Sequence, residues 1–145
     1  GRQVETCAAL SKDQLNVNIR RVRGLPKKAK FLRITLPREV RQGIPASASL
    51  TIVAKGKRRL SKRQIKSALR RVGRITVLNG KTTVARFNGR TATASLATAN
   101  LTLGKTQRLT VQIGTKKRVK SAGKRSKRAK VVRANLALSA LPRCK

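Results

Sequence analysis

Lys62, Lys66 and Arg70 recur at i, i+4 and i+8, with Arg63 beside them and Arg58 and Arg59 just upstream. On a helix this spacing stacks three cations along one face, where each adjacent pair repels by about 0.2–0.5 kcal/mol. Phosphate oxygens laid along the stripe reverse the sign of that term, so the chemistry to expect is anion binding through charge-assisted hydrogen bonds. A second concentration lies between residues 116 and 130, where nine of fifteen positions are basic: Lys116, Lys117, Arg118, Lys120, Lys124, Arg125, Lys127, Arg128 and Lys130. Ser121, Gly123 and Ser126 loosen this block, which has too little apolar surface to order by itself. It falls between two predicted strands, so it is expected to form a basic tongue over 115–130, pinned at both ends, that orders against phosphates.

In an ordinary chain either feature would read as a solvated face or a solubilising loop. The composition here is not ordinary. Thirty-eight Lys and Arg face three acids, Glu5, Asp13 and Glu39, and there is no His, for a formal charge of +35. That is several times the magnitude of roughly 2–8 that keeps a small domain soluble. Self-repulsion at this charge opposes the compact state and a bound anion lattice relieves it. Duplex DNA carries about one negative charge per 1.7 Å of axis, so the whole charge matches about 60 Å of duplex, roughly 17 base pairs.

The same composition argues against an enzyme. General acid and base work falls mainly to His, Asp, Glu, Lys, Tyr and Cys, and only Lys is plentiful here. With two Cys, three scattered carboxylates and no His, neither a metal site nor a Ser-His-Asp arrangement is expected, and no cofactor is implied. The two aromatic residues, Phe31 and Phe87, are too few for the stacking platforms of single-strand and most RNA binders. A duplex binder that holds phosphates requires none.

Cys7 and Cys144 stand near opposite ends of the chain. An even pair in a secreted protein reads most simply as one disulfide, worth roughly 5 kcal/mol for so long a loop, the alternative being two free thiols in the cytosol. The chain contains no Met, so Gly1 is expected to be a processed or engineered terminus, and removal of a signal peptide to an extracellular location would account for it. No apolar run approaches the roughly 18 residues of a membrane span, so no transmembrane segment is expected.

The elements that must hold these cations are mostly strands. The length suggests a single domain over 1–145. Leu15, Val17 and Ile19 alternate with Asn16, Asn18 and Arg20; Leu32, Ile34 and Leu36 with Arg33 and Thr35; Ala48, Leu50, Ile52 and Ala54 with Ser49, Thr51 and Val53. Period-two alternation of this kind marks half-buried strands. Asn79-Gly80 and Asn88-Gly89 are strong hairpin signals, and the first predicts Ile75 and Val77 opposite Val84 and Thr82. Ala92, Ala94 and Leu96 continue the series, then Leu101 and Leu103 lead to a turn at Gly104-Lys105-Thr106. Leu109, Val111 and Ile113 follow, and Val132, Ala134, Leu136 and Leu138 complete a last strand before Pro142. Asn100-Leu101-Thr102 matches the glycosylation triplet but is expected inside a strand. One helix over 61–72 interrupts the strands: Ser61 and Gln64 form a capping box, Leu60 can staple to Ile65, and Ile65, Ala68, Leu69 and Val72 share a face that ends at Gly73. The expected class is all-β and mostly antiparallel, a sandwich of about seven or eight strands with one inserted amphipathic helix.

The stretch Leu60-Ser-Lys-Arg-Gln-Ile-Lys-Ser-Ala-Leu-Arg-Arg-Val-Gly-Arg-Ile-Thr-Val77, with Leu103-Gly-Lys-Thr-Gln-Arg-Leu-Thr-Val-Gln-Ile113, resembles immunoglobulin-like β-sandwich modules of secreted bacterial surface proteins. The resemblance implies an extracellular sandwich in which a basic amphipathic helix links two strands. It carries no site motif and so implies no activity.

The function these observations favour is a secreted protein that coats double-stranded DNA or another polyanion through sequence-independent Lys and Arg contacts, with self-association into an oligomer or filament as its natural extension. A structural subunit of an extracellular filament or surface layer, binding acidic wall polymers, is the second expectation. An intracellular packaging or ribosomal component is the third. Cations also stand at Arg20, Arg21, Arg23, Lys27, Lys28, Lys30 and Lys55 to Arg59, which suggests several anion-facing surfaces rather than one.

Overall fold

The computed structural model describes residues 9–114 and 130–143, the side chains of Lys130 and Asn135 excepted. Cys7, Cys144 and the predicted tongue from Lys116 to Arg128 lie outside the described residues; at Lys130 the backbone alone is described.

Nine strands and one helix follow in the order β1 Gln14–Ile19, β2 Ala29–Pro37, β3 Glu39–Arg41, β4 Ser47–Ala54, α1 Lys62–Val72, β5 Ile75–Asn79, β6 Thr82–Phe87, β7 Thr93–Ser95, β8 Thr106–Ile113 and β9 Lys130–Leu141. They form a four-stranded sheet, β1-β2-β4-β7, and a five-stranded sheet, β3-β9-β8-β5-β6. All strand pairs are antiparallel except β3 with β9. The class is the expected one: an all-β sandwich with one inserted helix.

The alternating apolar residues do what period two requires. Leu15 and Ile19 of β1, Leu32, Ile34 and Leu36 of β2, and Ala48, Leu50 and Ile52 of β4 all turn inward. Val77 of β5, Ala85 and Phe87 of β6, Leu109 and Val111 of β8, and Leu136 and Leu138 of β9 meet them in one contiguous core. Each large apolar side chain so buried contributes about 1.5–3 kcal/mol. The outer face of the four-stranded sheet is polar and nearly uncharged: Asn18, Arg33 and Thr51 share one cross-strand row, and Asn16, Thr35, Ser49 and Thr93 the next. Arg33 Nε donates to Asn18 Oδ1 at 3.0 Å while its guanidinium lies 5.3 Å from the Phe31 ring centre. Phe31 is thus buried outside the core, beneath the cations of its own strand.

Several local expectations are corrected. β3 was not foreseen: the chain leaves β2 at Pro37 and crosses to the other sheet, where Val40 is buried and Arg41, also buried, donates from Nη1 to the Pro142 carbonyl. The β5–β6 hairpin turns on Gly80-Lys81 rather than Asn79-Gly80. Among the described non-glycine residues only Arg21 has positive φ, so Asn79 does not take the left-handed geometry that a type I′ turn demands; Gly80, at φ 65°, supplies it. A bulge at Val77–Leu78 then sets Val77 opposite Ala85 and Ile75 opposite Phe87. Asn88-Gly89 makes no hairpin: Asn88 Oδ1 accepts from the N–H groups of Arg90 and Thr91, an Asx turn leading across to β7. Residues 98–100 form a 3-10 turn, which places Asn100 at an exposed corner rather than in a strand.

Candidate polyanion interface

Apart from the short β3, which lies wholly at one end, successive connections in this sandwich alternate between its two ends. At one end lie the β1–β2 loop, the β4–α1–β5 connection, the β6–β7 loop, the end of β8 and the start of β9. At the other lie the β2–β3 and β3–β4 loops, the Gly80-Lys81 turn and the segment between β7 and β8. This alternation sorts the charge.

The first end collects Arg20, Arg21, Arg23, Lys27 and Lys28 from the β1–β2 loop, and Lys55, Lys57, Arg58 and Arg59 from the β4–α1 loop. Helix α1 and its exit add Lys62, Arg63, Lys66, Arg70, Arg71 and Arg74, and Arg90 comes from the β6–β7 loop. All are exposed, and no acidic residue stands among them. The opposite end holds Lys12, Arg38, Arg41, Lys81, Lys105 and Arg143 together with both described acids, Asp13 and Glu39. Where the sequence suggests several anion-facing surfaces, most of the described cations crowd one end.

Helix α1 is built as the sequence predicts. Ser61 Oγ accepts from Gln64 N–H at 3.1 Å and Gln64 Oε1 accepts from Ser61 N–H at 2.8 Å, which satisfies two of the helix's orphan donors. Ala68, Leu69 and Val72 are buried, with Leu60 and Ile65 packed against the same core. This fixes the opposite face outward, so that Lys62, Arg63, Lys66, Ser67 and Arg70 line one shallow groove of about 350 Å³. No acid occupies the first turn, where negative charge would favour the helix dipole, whereas Arg70 and Arg71 sit favourably in the last.

A second depression opens beside it, lined by Lys27, Lys55, Gly56, Lys57 and Arg58. Its two walls are tied by the Lys55 N–H donating to the Lys28 carbonyl at 2.8 Å, and Arg58 N–H closes a turn on the Lys55 carbonyl at 3.1 Å. The β1–β2 loop also rests directly on α1. A Cβ at Gly24, whose φ is +96°, would lie 2.8 Å from the backbone carbon of Arg71. The Asn88-Gly89 turn packs on the helix exit in the same manner, 3.3 Å from the Leu69 and Gly73 carbonyls by the same measure.

The roots of the predicted tongue belong to this end as well. Gly114 N–H donates to the Arg74 carbonyl at 2.7 Å, and Lys130 stands opposite Ile113 in the β8–β9 ladder. The described candidates Arg58, Arg59, Lys62, Arg63, Lys66 and Arg70 are thus brought together, with the backbone of Lys130 close by. Reasoning from clusters alone missed the β1–β2 loop cations, Lys55, Lys57, Arg71, Arg74 and Arg90 as members of the same surface.

Among the described residues no group of His, Cys, Asp or Glu could hold a metal ion, and no helix is long and apolar enough to cross a membrane. No family model matches the chain, and neither a curated protein nor a solved structure matches it. What the fold and site define is a class: a β-sandwich with one strongly cationic end.

Proposed function

We propose that this protein binds polyanions through its α1 end, with double-stranded DNA the polymer its dimensions fit best, and that it holds phosphates without reading sequence. The observation that carries the proposal is the convergence of three connections and a helix face into a single cationic surface that, among the described residues, contains no acid. Four or five strands about 4.8 Å apart make that end about 20–24 Å wide. Duplex of that length carries about 12–14 phosphates, of which about half face one side. The groove of α1 and the Lys27–Arg58 depression supply donors for such a row, several of them guanidinium forks suited to bidentate phosphate contacts. Base edges are not addressed, because contacts of this kind position a protein on nucleic acid without specifying sequence.

The test is binding of unrelated 20-base-pair duplexes across a salt series. About 6–7 phosphate contacts give a slope of about −6 in log K against log salt, nearly equal for all sequences. A slope shallower than about −2, or strong preference for one sequence, overturns the proposal. Heparin and polyphosphate in the same series separate a duplex-fitting surface from a general polyanion surface: equal affinity per charge removes DNA as the favoured ligand.

A further inference from the structure

Four strands end the two sheets, and three of them are closed to further pairing. β3 and β7 are three residues long. β6 carries Arg86 and a bulge, and its free edge is occupied: the Val84 carbonyl accepts from Ala97 N–H and the Thr83 carbonyl from Asn100 Nδ2, both at 2.7 Å. Among the described residues, β1 has none of these protections. Its six residues, Gln14-Leu-Asn-Val-Asn-Ile19, contain no charge, Pro or Gly in a chain with 38 Lys and Arg. One side pairs with β2 from Gln14 to Ile19; no backbone hydrogen bond from a described residue reaches the other. Soluble proteins ordinarily blunt such an edge with Lys, Pro, a bulge or shortness, because an open edge templates another strand.

We propose that two copies of this chain pair antiparallel through β1, joining their four-stranded sheets into one of eight strands. The contact is isologous, so the same surface serves both copies and the association closes. With the other three edges shut, growth stops at two instead of continuing into the filament that the sequence alone allowed.

Charge selects the orientation. A parallel pair would set the two cationic ends side by side; the antiparallel pair sends them in opposite directions, each beside the end of its neighbour that carries Asp13 and Glu39. Opposed residues in a ladder must share a face, and Leu15, Val17 and Ile19 face inward while Asn16 and Asn18 face out. Two symmetric registers satisfy this with near-full overlap. Centred on Asn16, the pairing opposes Gln14 to Asn18 and Leu15 to Val17 of the other copy; centred on Val17, it opposes Asn16 to Asn18 and Leu15 to Ile19. Either register keeps charged side chains out of the ladder, because β1 itself carries none. The joined outer face around the seam carries Asn16, Asn18, Thr35, Ser49 and Thr51 with one cation, Arg33, whose Nε is held by Asn18 Oδ1, so two chains of charge +35 approach there through a mostly neutral surface.

Sedimentation equilibrium in 0.5 M salt, with the charge screened but no polyanion present, is combined with hydrogen exchange of the β1 peptide over a protein dilution series. The expected result is a dimer mass and β1 amides that slow by about tenfold or more as the dimer fills. Asn16→Lys with Asn18→Lys, which also gives up the hydrogen bonds from Thr35 and Arg33, is expected to remain folded and monomeric with a lowered melting temperature. A wild-type monomer at every concentration, or a dimer whose β1 amides exchange as in the monomer, overturns the proposal. Because no polyanion is present, failure here is distinct from failure of phosphate binding.

Discussion

The Lys55 N–H donates to the Lys28 carbonyl at 2.8 Å, a backbone bond that fastens together two loops each carrying neighbouring cations. Side chains that repel are held close because the main chains beneath them are tied. The repulsion is therefore held in the folded protein, and on the proposed function an anion between the loops would relieve it in the depression lined by Lys27, Lys55, Lys57 and Arg58.

Neutralising this depression separates the two ends of the molecule. Lys27→Gln, Lys55→Gln and Arg58→Gln together are expected to reduce the salt slope of DNA binding by about one per cation contacting phosphate. Lys81→Gln with Lys105→Gln, at the far end, is expected to leave it nearly unchanged. Equal losses from the two variants, measured by fluorescence anisotropy across a salt series, would count against a polar binding surface.

On α1, stability and binding are expected to move in opposite directions. Lys62 stands in the first turn against the helix dipole and Lys66 one turn later on the same face. Replacing both with Gln removes their mutual repulsion and should stabilise the fold by about 0.5 kcal/mol while weakening the affinity for duplex. Thermal denaturation and a binding titration on the same preparation decide the matter; stability lost along with affinity would mean that these lysines serve the fold.

Gly24→Ala is expected to be costly out of proportion to its one added carbon. The φ of +96° is strained for any L side chain, and the new Cβ would meet the Arg71 backbone at 2.8 Å. A loss of about 1–3 kcal/mol is expected in chemical denaturation, together with weaker anion binding as the β1–β2 loop lifts from the helix.

Gln107 offers the converse control. Its Nε2 donates to the carbonyls of Lys105 at 2.9 Å and Leu138 at 2.7 Å, and its Oε1 accepts from Thr102 N–H. Gln107→Ala removes these bonds at the end away from α1, where water reaches the Thr102 and Lys105 partners, and should cost about 0.5–1.5 kcal/mol of stability. The salt slope of the still-folded variant is expected to match that of the wild type.

The core strands and α1 were legible because their signals are local: alternation at Leu32-Arg33-Ile34-Thr35-Leu36 and the Ser61–Gln64 capping box each lie within one element. β3 escaped notice because three residues with a single buried apolar side chain, Val40, make no period. The Asn79-Gly80 register failed because either member of the pair can lead a two-residue turn, and the bulge at Val77–Leu78 is set by packing rather than by turn residues. At the site, the helix stripe was visible as a motif, whereas the membership of Arg20–Lys28, Arg71 and Arg90 depends on which loops share an end. That information was present in weaker form: consecutive antiparallel strands return the chain to the same end at every second connection, and the cation-rich connections are the alternate ones.

The segregation of cations to one end also gives the molecule a direction in an electric field. A sphere of uniform charge is drawn to a polyanion but not turned by it; this sandwich experiences a torque that brings the α1 end forward while the surfaces are still separated by solvent. Encounters in the wrong orientation correct themselves before contact, and raised ionic strength shortens the distance over which this happens to a Debye length of about 8 Å under physiological salt. Rotational capture of this kind makes association fast without any requirement that the protein recognise where along the polymer it has landed.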